Sequence, residues 1–419
     1  MKLISTTILT IFQTLIKMIA GFVVIKIVSS LAGPEGVSIL GVVQNINLIY
    51  VMLCGGIMAT GITKYVAGAG RNKNLFIIFN IVKELETKLS VFATFTIVLL
   101  LFLLYRFSDD NHIDKLPLII FSLCLTFLHA KVLVHLAKLN GLLKIRELAA
   151  INIFSALVSI FISIVVYSLH LAWEFAVIGL PLGYAIAYGL IAKPRMRFYR
   201  YYNALSVNIR VKSNIQKYAL FGLTSAICLP LSQLVIRTYI SNHISIYESG
   251  IWQGLVRFSE VYLVLISSAL SVFLVPQVSS MSDGERIKKL ITKMIILVSI
   301  VSIFGMLVIF YVKEFLIIIL FDKSFLDMQK LFIYQLPGDF LKIISWVFAF
   351  SILGMGGVKN MLILEVIFSF TYVGFSIVGV NNLGIEGAIA AYTINYALYF
   401  LSISILFGVE VGKFRKVQS

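Results

Sequence analysis

Apolar residues run in long blocks along this chain, separated by short stretches that hold most of the Lys and Arg. Runs such as Leu297–Val312 and Phe348–Leu353 belong to stretches of the roughly 20 residues that an α-helix needs to cross a bilayer. The pattern predicts helical spans at 3–31, 37–65, 86–106, 117–137, 148–169, 174–192, 216–241, 249–279, 289–311, 328–354, 359–380 and 385–409. Several exceed the minimum length, which permits tilt without fixing an angle. The first is too long for a signal peptide and no clear small-residue cleavage site follows it, so it reads as a permanent span. The expected fold is an all-α polytopic membrane protein of about twelve helices.

Composition removes the soluble alternative. Charged residues make up 13% of the chain, about half the roughly 25% of a soluble domain. The formal net charge of +16 would point to nucleic acid in a soluble protein. Here Lys and Arg concentrate in alternate loops instead. With the N-terminus in the cytoplasm, they favour the cytoplasmic side by about fivefold along the whole chain, as the positive-inside rule requires. The even span count then puts the C-terminus in the cytoplasm too. Cys54, Cys124 and Cys228 lie in apolar segments at no metal or disulfide spacing and read as small core residues. No cofactor, metal or catalytic motif is expected. No predicted outer loop is long enough for a catalytic domain, which argues against a membrane polymerase or ligase.

The longest loop divides the chain into an N-terminal bundle at 1–192, a basic linker at 193–215 and a C-terminal bundle at 216–419. The linker interleaves Arg and Lys with Tyr, a composition suited to an anionic lipid surface rather than to nucleic acid. The halves repeat weakly. GPEGVSILG after the first span is matched by ESGIWQGLV after the seventh, and LGYAIAYGL in the sixth by GAIAAYTINYAL in the twelfth. Two pseudo-symmetric six-helix bundles are a common transporter plan.

The chemistry-bearing residues are those that violate the apolar pattern. An ionisable group at the bilayer centre costs about 2.5–3.5 kcal/mol on insertion scales, so it is expected to face a bundle interior or a wet cavity. In the first span Thr10, Gln13, Lys17 and Gly21 recur at helical steps on one face. Lys26 lies about 180° around the helix from Lys17 and near an end, where it can snorkel. In the seventh span Pro230 is expected to kink the helix, and Gln233 and Arg237 share a face. The eighth carries Gln253, Arg257, Glu260, Ser267 and Ser271 on one face, with Arg257 and Glu260 able to pair at i, i+3. The tenth holds Gln335, Pro337, Gly338, Asp339 and Lys342, a pattern that suggests a broken or bent helix. Glu365 in the eleventh shares a face with Ser369 and Tyr372, and His129 in the fourth reads as a satisfied interior histidine. Cations outnumber acids among these groups, which favours an anionic cargo such as a phosphate or pyrophosphate. A cation or drug exporter would be expected to show the opposite balance. Glu260, Asp339 and Glu365 are candidate proton carriers, because desolvation penalises the charged form of an acid.

The stretches LIKMIAGFVVIKIVSSLAGPEGVSILG, GITKYVAG, GIWQGLVRFSEVYL, YQLPGDFLKI and GIEGAIAAYTINYALYF, in this order and spacing, resemble the Wzx-type flippases of the MOP superfamily. The likeness is nearest the branch that handles enterobacterial common antigen and related O-antigens, and it runs from the first span to the last. It implies a MATE-like fold of two six-helix bundles around a V-shaped cavity, working by alternating access with a proton gradient as the drive. The implied cargo is an undecaprenyl-pyrophosphate-linked oligosaccharide, moved from the cytoplasmic to the periplasmic leaflet of the bacterial inner membrane. The implied partners are membrane lipid, a polysaccharide polymerase and a chain-length regulator. Lys17, Lys26, Lys64, Glu260, Asp339, Lys342 and Glu365 carry over as polar elements of that pattern. Arg237 and Arg257 complete the expected cationic cavity, Arg257 at a position where some relatives are uncharged.

Overall fold

The computed structural model describes residues 2–68, 74–107, 116–192, 227–281 and 283–416. The basic linker 193–215 and the first part of the seventh predicted span, 216–226, lie outside the described residues. The helices in chain order are α1 (Lys2–Leu53), α2 (Ala59–Gly68), α3 (Asn74–Phe107), α4 (Leu116–Gly141), α5 (Ile145–Ser168), α6 (Glu174–Val177) and α7 (Gly179–Ala187), then α8 (227–243), α9 (Ile246–Ser279), α10 (Gly284–Leu320), α11 (Phe332–Gly354) and α12 (Val358–Lys416). A 3-10 turn, Gly56–Met58, precedes α2, another, Lys323–Leu331, precedes α11, and a π-turn, Tyr188–Ala192, follows α7. No strand occurs among the described residues.

Seven described segments are long and apolar enough to cross a bilayer. Two of them each contain two predicted spans run together. The first joins its limbs at Gly33 (φ 59°, ψ −158°) and the last at Gly384 (φ 61°, ψ −140°). Side chains with a Cβ avoid this backbone region, so glycine is what allows each elbow. Both elbows carry the pattern Gly-x-Glu-Gly: Gly33-Pro34-Glu35-Gly36 and Gly384-Ile385-Glu386-Gly387.

The exposed surface confirms a hydrocarbon solvent. Helix α10 buries only Gly284, Ile287, Ile291, Ser302 and Ile317, while Ile300 and Phe304 are 63% and 69% exposed. Contiguous apolar faces of this size are not stable in water, and an α-helix is a form in which backbone polar groups survive in lipid. The fold is all-α and polytopic.

The chain divides into two compact units, Met1–Ala32 with Ile39–Leu231, and Gly33–Ser38 with Ser232–Ser419. In the first, α2, α3 and α4 bury a core that includes Ile62, Ile81, Val82 and Val134. A second cluster joins Val132 and Leu136 of α4 to Ile151 of α5 and Tyr184 of α7. In the second unit, Leu274, Ile291, Val347, Ile352 and Ile403 lie in one core. Two of its helices, α9 and α10, start at sequence-encoded caps. Ser245 accepts from the Glu248 N–H at 3.0 Å and Asp283 from the Glu285 N–H at 2.9 Å, each satisfying an orphan donor of the first turn.

Three local expectations are corrected. The second predicted span is interrupted, with a turn through Gly55 and a 3-10 segment separating Leu53 from Ala59. Pro337 does not break the tenth, since α11 runs on from Phe332 to Gly354. A carbonyl of that turn, that of Tyr334, accepts the Thr393 hydroxyl of α12, the kind of side-chain compensation that lets proline sit in a membrane helix. Cys124 is exposed rather than a core residue, whereas Cys54 is buried and Cys228 half-buried; none of the three is disulfide-bonded.

Candidate functional site

In the second unit, the polar faces of α8, α9, α11 and α12 build one network. Arg237 of α8 is fully buried. Its Nε donates to the Gln253 side-chain carbonyl at 3.1 Å, and Nη2 reaches the same oxygen. The guanidinium lies 5.8 Å from the Trp252 ring centroid, a cation–π contact worth about 2 kcal/mol when desolvated. Complete burial is incompatible with this side chain snorkelling to an interface. One turn away, Gln233 donates to Glu260 Oε1 at 2.9 Å, and Arg257 Nη1 donates to Glu260 Oε2 at 2.7 Å. The i, i+3 pair read from the sequence therefore forms, with side chains 24% and 30% exposed. The Nη1 of Arg237 and the Nε of Arg257 are buried donors with no acceptor among the described residues.

Asp339 and Lys342, also spaced i, i+3, do not pair. Among the described residues no ion pair joins them, and each has other partners. Asp339 is fully buried. Its Oδ1 accepts from Gln335 Nε2 at 3.1 Å and from the Tyr392 hydroxyl at 2.6 Å, and its Oδ2 accepts from the Tyr262 hydroxyl. Lys342 lies instead among aromatic faces, its ammonium 4.8 Å from the Tyr396 centroid, 5.5 Å from Tyr392 and 5.6 Å from Trp346. Ring quadrupoles stabilise a cation without neutralising it, and the charges of Asp339 and Glu260 act on the same ammonium.

The first unit holds a smaller network of the same kind. Asn152 of α5 donates to the Gln13 carbonyl at 3.1 Å and accepts from the Tyr184 hydroxyl at 3.2 Å. Lys17 lies 5.5 Å from the Tyr184 centroid, and His129 stacks on that ring at 3.8 Å. The polar stripe of the first span thus turns inward, with Gln13 buried and Lys17 half-buried. Each unit sets a lysine against a tyrosine of a Tyr-x-x-x-Tyr pair: Lys17 on Tyr184 of Tyr184/Tyr188, and Lys342 on both members of Tyr392/Tyr396.

No family model matches the chain. Two curated relatives, each named lipid III flippase, come from Escherichia coli (strain K12) and Shigella flexneri. Each is 25% identical over 417 residues, which cover 96% of this chain and 97% of the relative. Among solved structures, the inward-facing conformation of a multidrug resistance MATE family transporter of the MOP superfamily matches at a TM-score of 0.81 with 14% identity, over 97% of this chain and 96% of that one. The lipid II flippase MurJ in its inward closed conformation matches at 0.68 with 15% identity, over 98% of this chain and 90% of that one. The fold is that of the MOP-superfamily transporters.

On this MOP fold the remaining candidates lie at other positions along the helices. Lys26 is half-buried on the first limb of α1, its carbonyl accepting from Ser29 at 2.9 Å. Lys64 is exposed on α2. Glu365 is half-buried, its carbonyl accepting from Ser369 at 2.8 Å. Pro230 gives its carbonyl to the Asn45 amide at 3.2 Å. Sequence reasoning passed over Tyr262, Tyr184 and Tyr392 as site residues because aromatics in an apolar span read as filler. The repeated AYTINYAL and GYAIAYGL patterns were the available signal.

Proposed function

We propose that this protein is a multi-pass inner-membrane flippase, not an enzyme. Its cargo is an undecaprenyl-pyrophosphate-linked oligosaccharide, moved from the cytoplasmic to the periplasmic leaflet for O-antigen or a related surface polysaccharide. The drive is a proton gradient acting through alternating access, with Asp339 and Glu260 as the foremost carboxyl candidates. Both termini lie in the cytoplasm, two six-helix bundles flank the basic linker 193–215, and a polysaccharide polymerase and chain-length regulator act downstream.

The observation that carries this reading is the setting of Lys342. A cation at membrane depth, held by three rings and not by the acid one turn away, is suited to an anionic ligand. Arg257 adds a second cation with an unmet N–H. A pyrophosphate bearing sugars is costly to move through hydrocarbon unaided, and a polar interior lowers that cost while the polyprenyl tail stays in the bilayer. The end-to-end likeness to proteins named lipid III flippase supports the same class. The excess of cations weighs against a cation or drug exporter on the same fold.

A deletion strain lacking paralogues tests it. Complete, unpolymerised lipid-linked repeat units are expected to accumulate on the cytoplasmic side. Normal translocation in that strain overturns the reading.

A further inference from the structure

We propose that Asp339, Tyr262 and Ser259 form a proton-holding station whose two protonation states are both fully hydrogen-bonded. The proposal deepens the proton-coupled reading above and rests on it for its role in transport. It concerns one question left open there: which acid takes the proton, and what else must move when it does.

The two central acids differ in what holds them. Glu260 is bound to a cation, Arg257, at 2.7 Å. Neutralising it would leave that guanidinium without its counter-charge, an expensive state in a desolvated site. Asp339 accepts its hydrogen bonds from neutral donors, Gln335, Tyr392 and Tyr262, and has Lys342 as a nearby counter-charge without an ion pair. Its neutral form strands no charged hydrogen-bond partner.

The oxygens of Asp339 are not equivalent. Oδ1 already seats two donors, and a proton there displaces one of them. Oδ2 has one, the Tyr262 phenol, and the Ser259 Oγ lies 3.3 Å from that phenol oxygen. A hydroxyl both donates and accepts, whereas an ionised carboxylate only accepts. In the ionised state Tyr262 donates to Oδ2. When a proton binds Oδ2, the new O–H donates to the Tyr262 oxygen, and Tyr262 turns its own hydrogen to Ser259. The Ser259 hydroxyl then donates to a carbonyl of its own helix, as serines in membrane helices do. One proton is gained, Asp339 goes from −1 to neutral, and no other covalent bond changes. Tyr262 is half-buried while Asp339 is fully buried.

The groups that face this acid come from three helices. Tyr262 comes from α9, with the Arg257–Glu260 pair in the turn before it. Lys342 comes from α11. Tyr392 comes from α12, with Tyr372 and Tyr396 in edge contact with its ring at centroid distances of 5.9 Å and 4.7 Å.

Infrared difference spectroscopy on the purified full chain in lipid nanodiscs tests the station without any cargo. A protonated carboxyl band should appear on titration, vanish in Asp339→Asn and change position in Asp339→Glu, the second variant guarding against a folding failure in the first. Ser259→Ala removes the acceptor that takes the Tyr262 hydrogen when Asp339 is protonated, and should lower proton affinity by about tenfold, the effect of one unmet buried hydroxyl. Tyr262→Phe removes a charge-assisted donor from the ionised state and a weaker neutral bond from the protonated one, and should raise it on balance. Ser268→Ala, exposed on the same helix, should leave it unchanged. Equal titration in the parent and Ser259→Ala, a band that responds to sodium and not to pH, or no band at any pH overturns the proposal. Failure of the flippase reading would leave this titration intact, and failure of this titration would leave lipid flipping unaffected, so the two are separable.

Discussion

Gly338 packs directly under the Tyr392 ring: a Cβ at that position would lie 2.6 Å from ring carbon Cδ1, and equally close to the Thr393 hydroxyl. Real side chains do not approach so closely, so the absence of a side chain at 338 is what lets α11 and α12 close far enough for Tyr392 to reach Asp339 at 2.6 Å. The glycine beside the acid is therefore part of the acid's setting.

Gly338→Ala is expected to push the two helices apart and to lower stability by about 1–3 kcal/mol, the usual cost of overpacking. Thermal unfolding in detergent measures it. Gly374→Ala is the control, because a Cβ there meets nothing within 4 Å; it should be neutral or stabilising, as alanine is the better helix former. Equal melting of the two variants would contradict the close contact.

Arg237 and Arg257 should separate into a structural and a functional arginine. Arg237 is sealed inside the unit and grips Gln253 through two nitrogens of its planar fork. Lysine cannot reproduce that geometry. Arg237→Lys is expected to reduce membrane protein level, with a stability loss of about 1–3 kcal/mol. Arg257→Ala is expected to reduce surface polysaccharide at unchanged protein level. Quantitative immunoblotting beside polysaccharide staining distinguishes them, and loss of polysaccharide tracking protein level in both would remove Arg257 from the site.

The lysine–tyrosine contacts predict a common phenotype in the two units. Lys17→Ala and Lys342→Ala should each lower surface polysaccharide at normal protein level. Tyr184→Phe keeps the ring under Lys17 but breaks its 3.2 Å bond to Asn152, and should cost about 0.5–1.5 kcal/mol of stability with a milder effect on polysaccharide. Full activity of both alanine variants would rule out the lysines as ligands.

Much of this was legible before any coordinates. Span pattern and loop charge sufficed for the polytopic fold, because lipid leaves few alternatives to the helix. The inward stripe of Gln13 and Lys17 and the Arg257–Glu260 pair followed from helical spacing alone. Other relations depend on partners far apart in sequence. Asp339 and Lys342 have the same i, i+3 spacing as Arg257 and Glu260, yet Tyr262 and Tyr392 occupy the acid and rings surround the lysine. Local spacing states which groups are able to meet; competition from other helices decides which do. The matched Tyr-x-x-x-Tyr pairs were visible as a repeat, but nothing in the repeat said that each would hold a lysine.

Coupling should depend on Asp339 more than on Glu260. In proteoliposomes with an imposed pH gradient, Asp339→Asn should abolish the gradient's effect on transport. Glu260→Gln should chiefly weaken cargo handling by freeing Arg257 from its partner. A dependence on a sodium gradient in the parent would redirect the mechanism to a different ion.

The most direct test of the central claim places the purified protein in liposomes with a polyprenyl-pyrophosphate-linked oligosaccharide and follows the sugar's appearance on the opposite leaflet. The parent should move it, and the Lys342→Ala variant, folded to the same degree, should move it at least tenfold more slowly. A parent that leaves the sugar where it started, or a variant that keeps pace with the parent, would contradict the account.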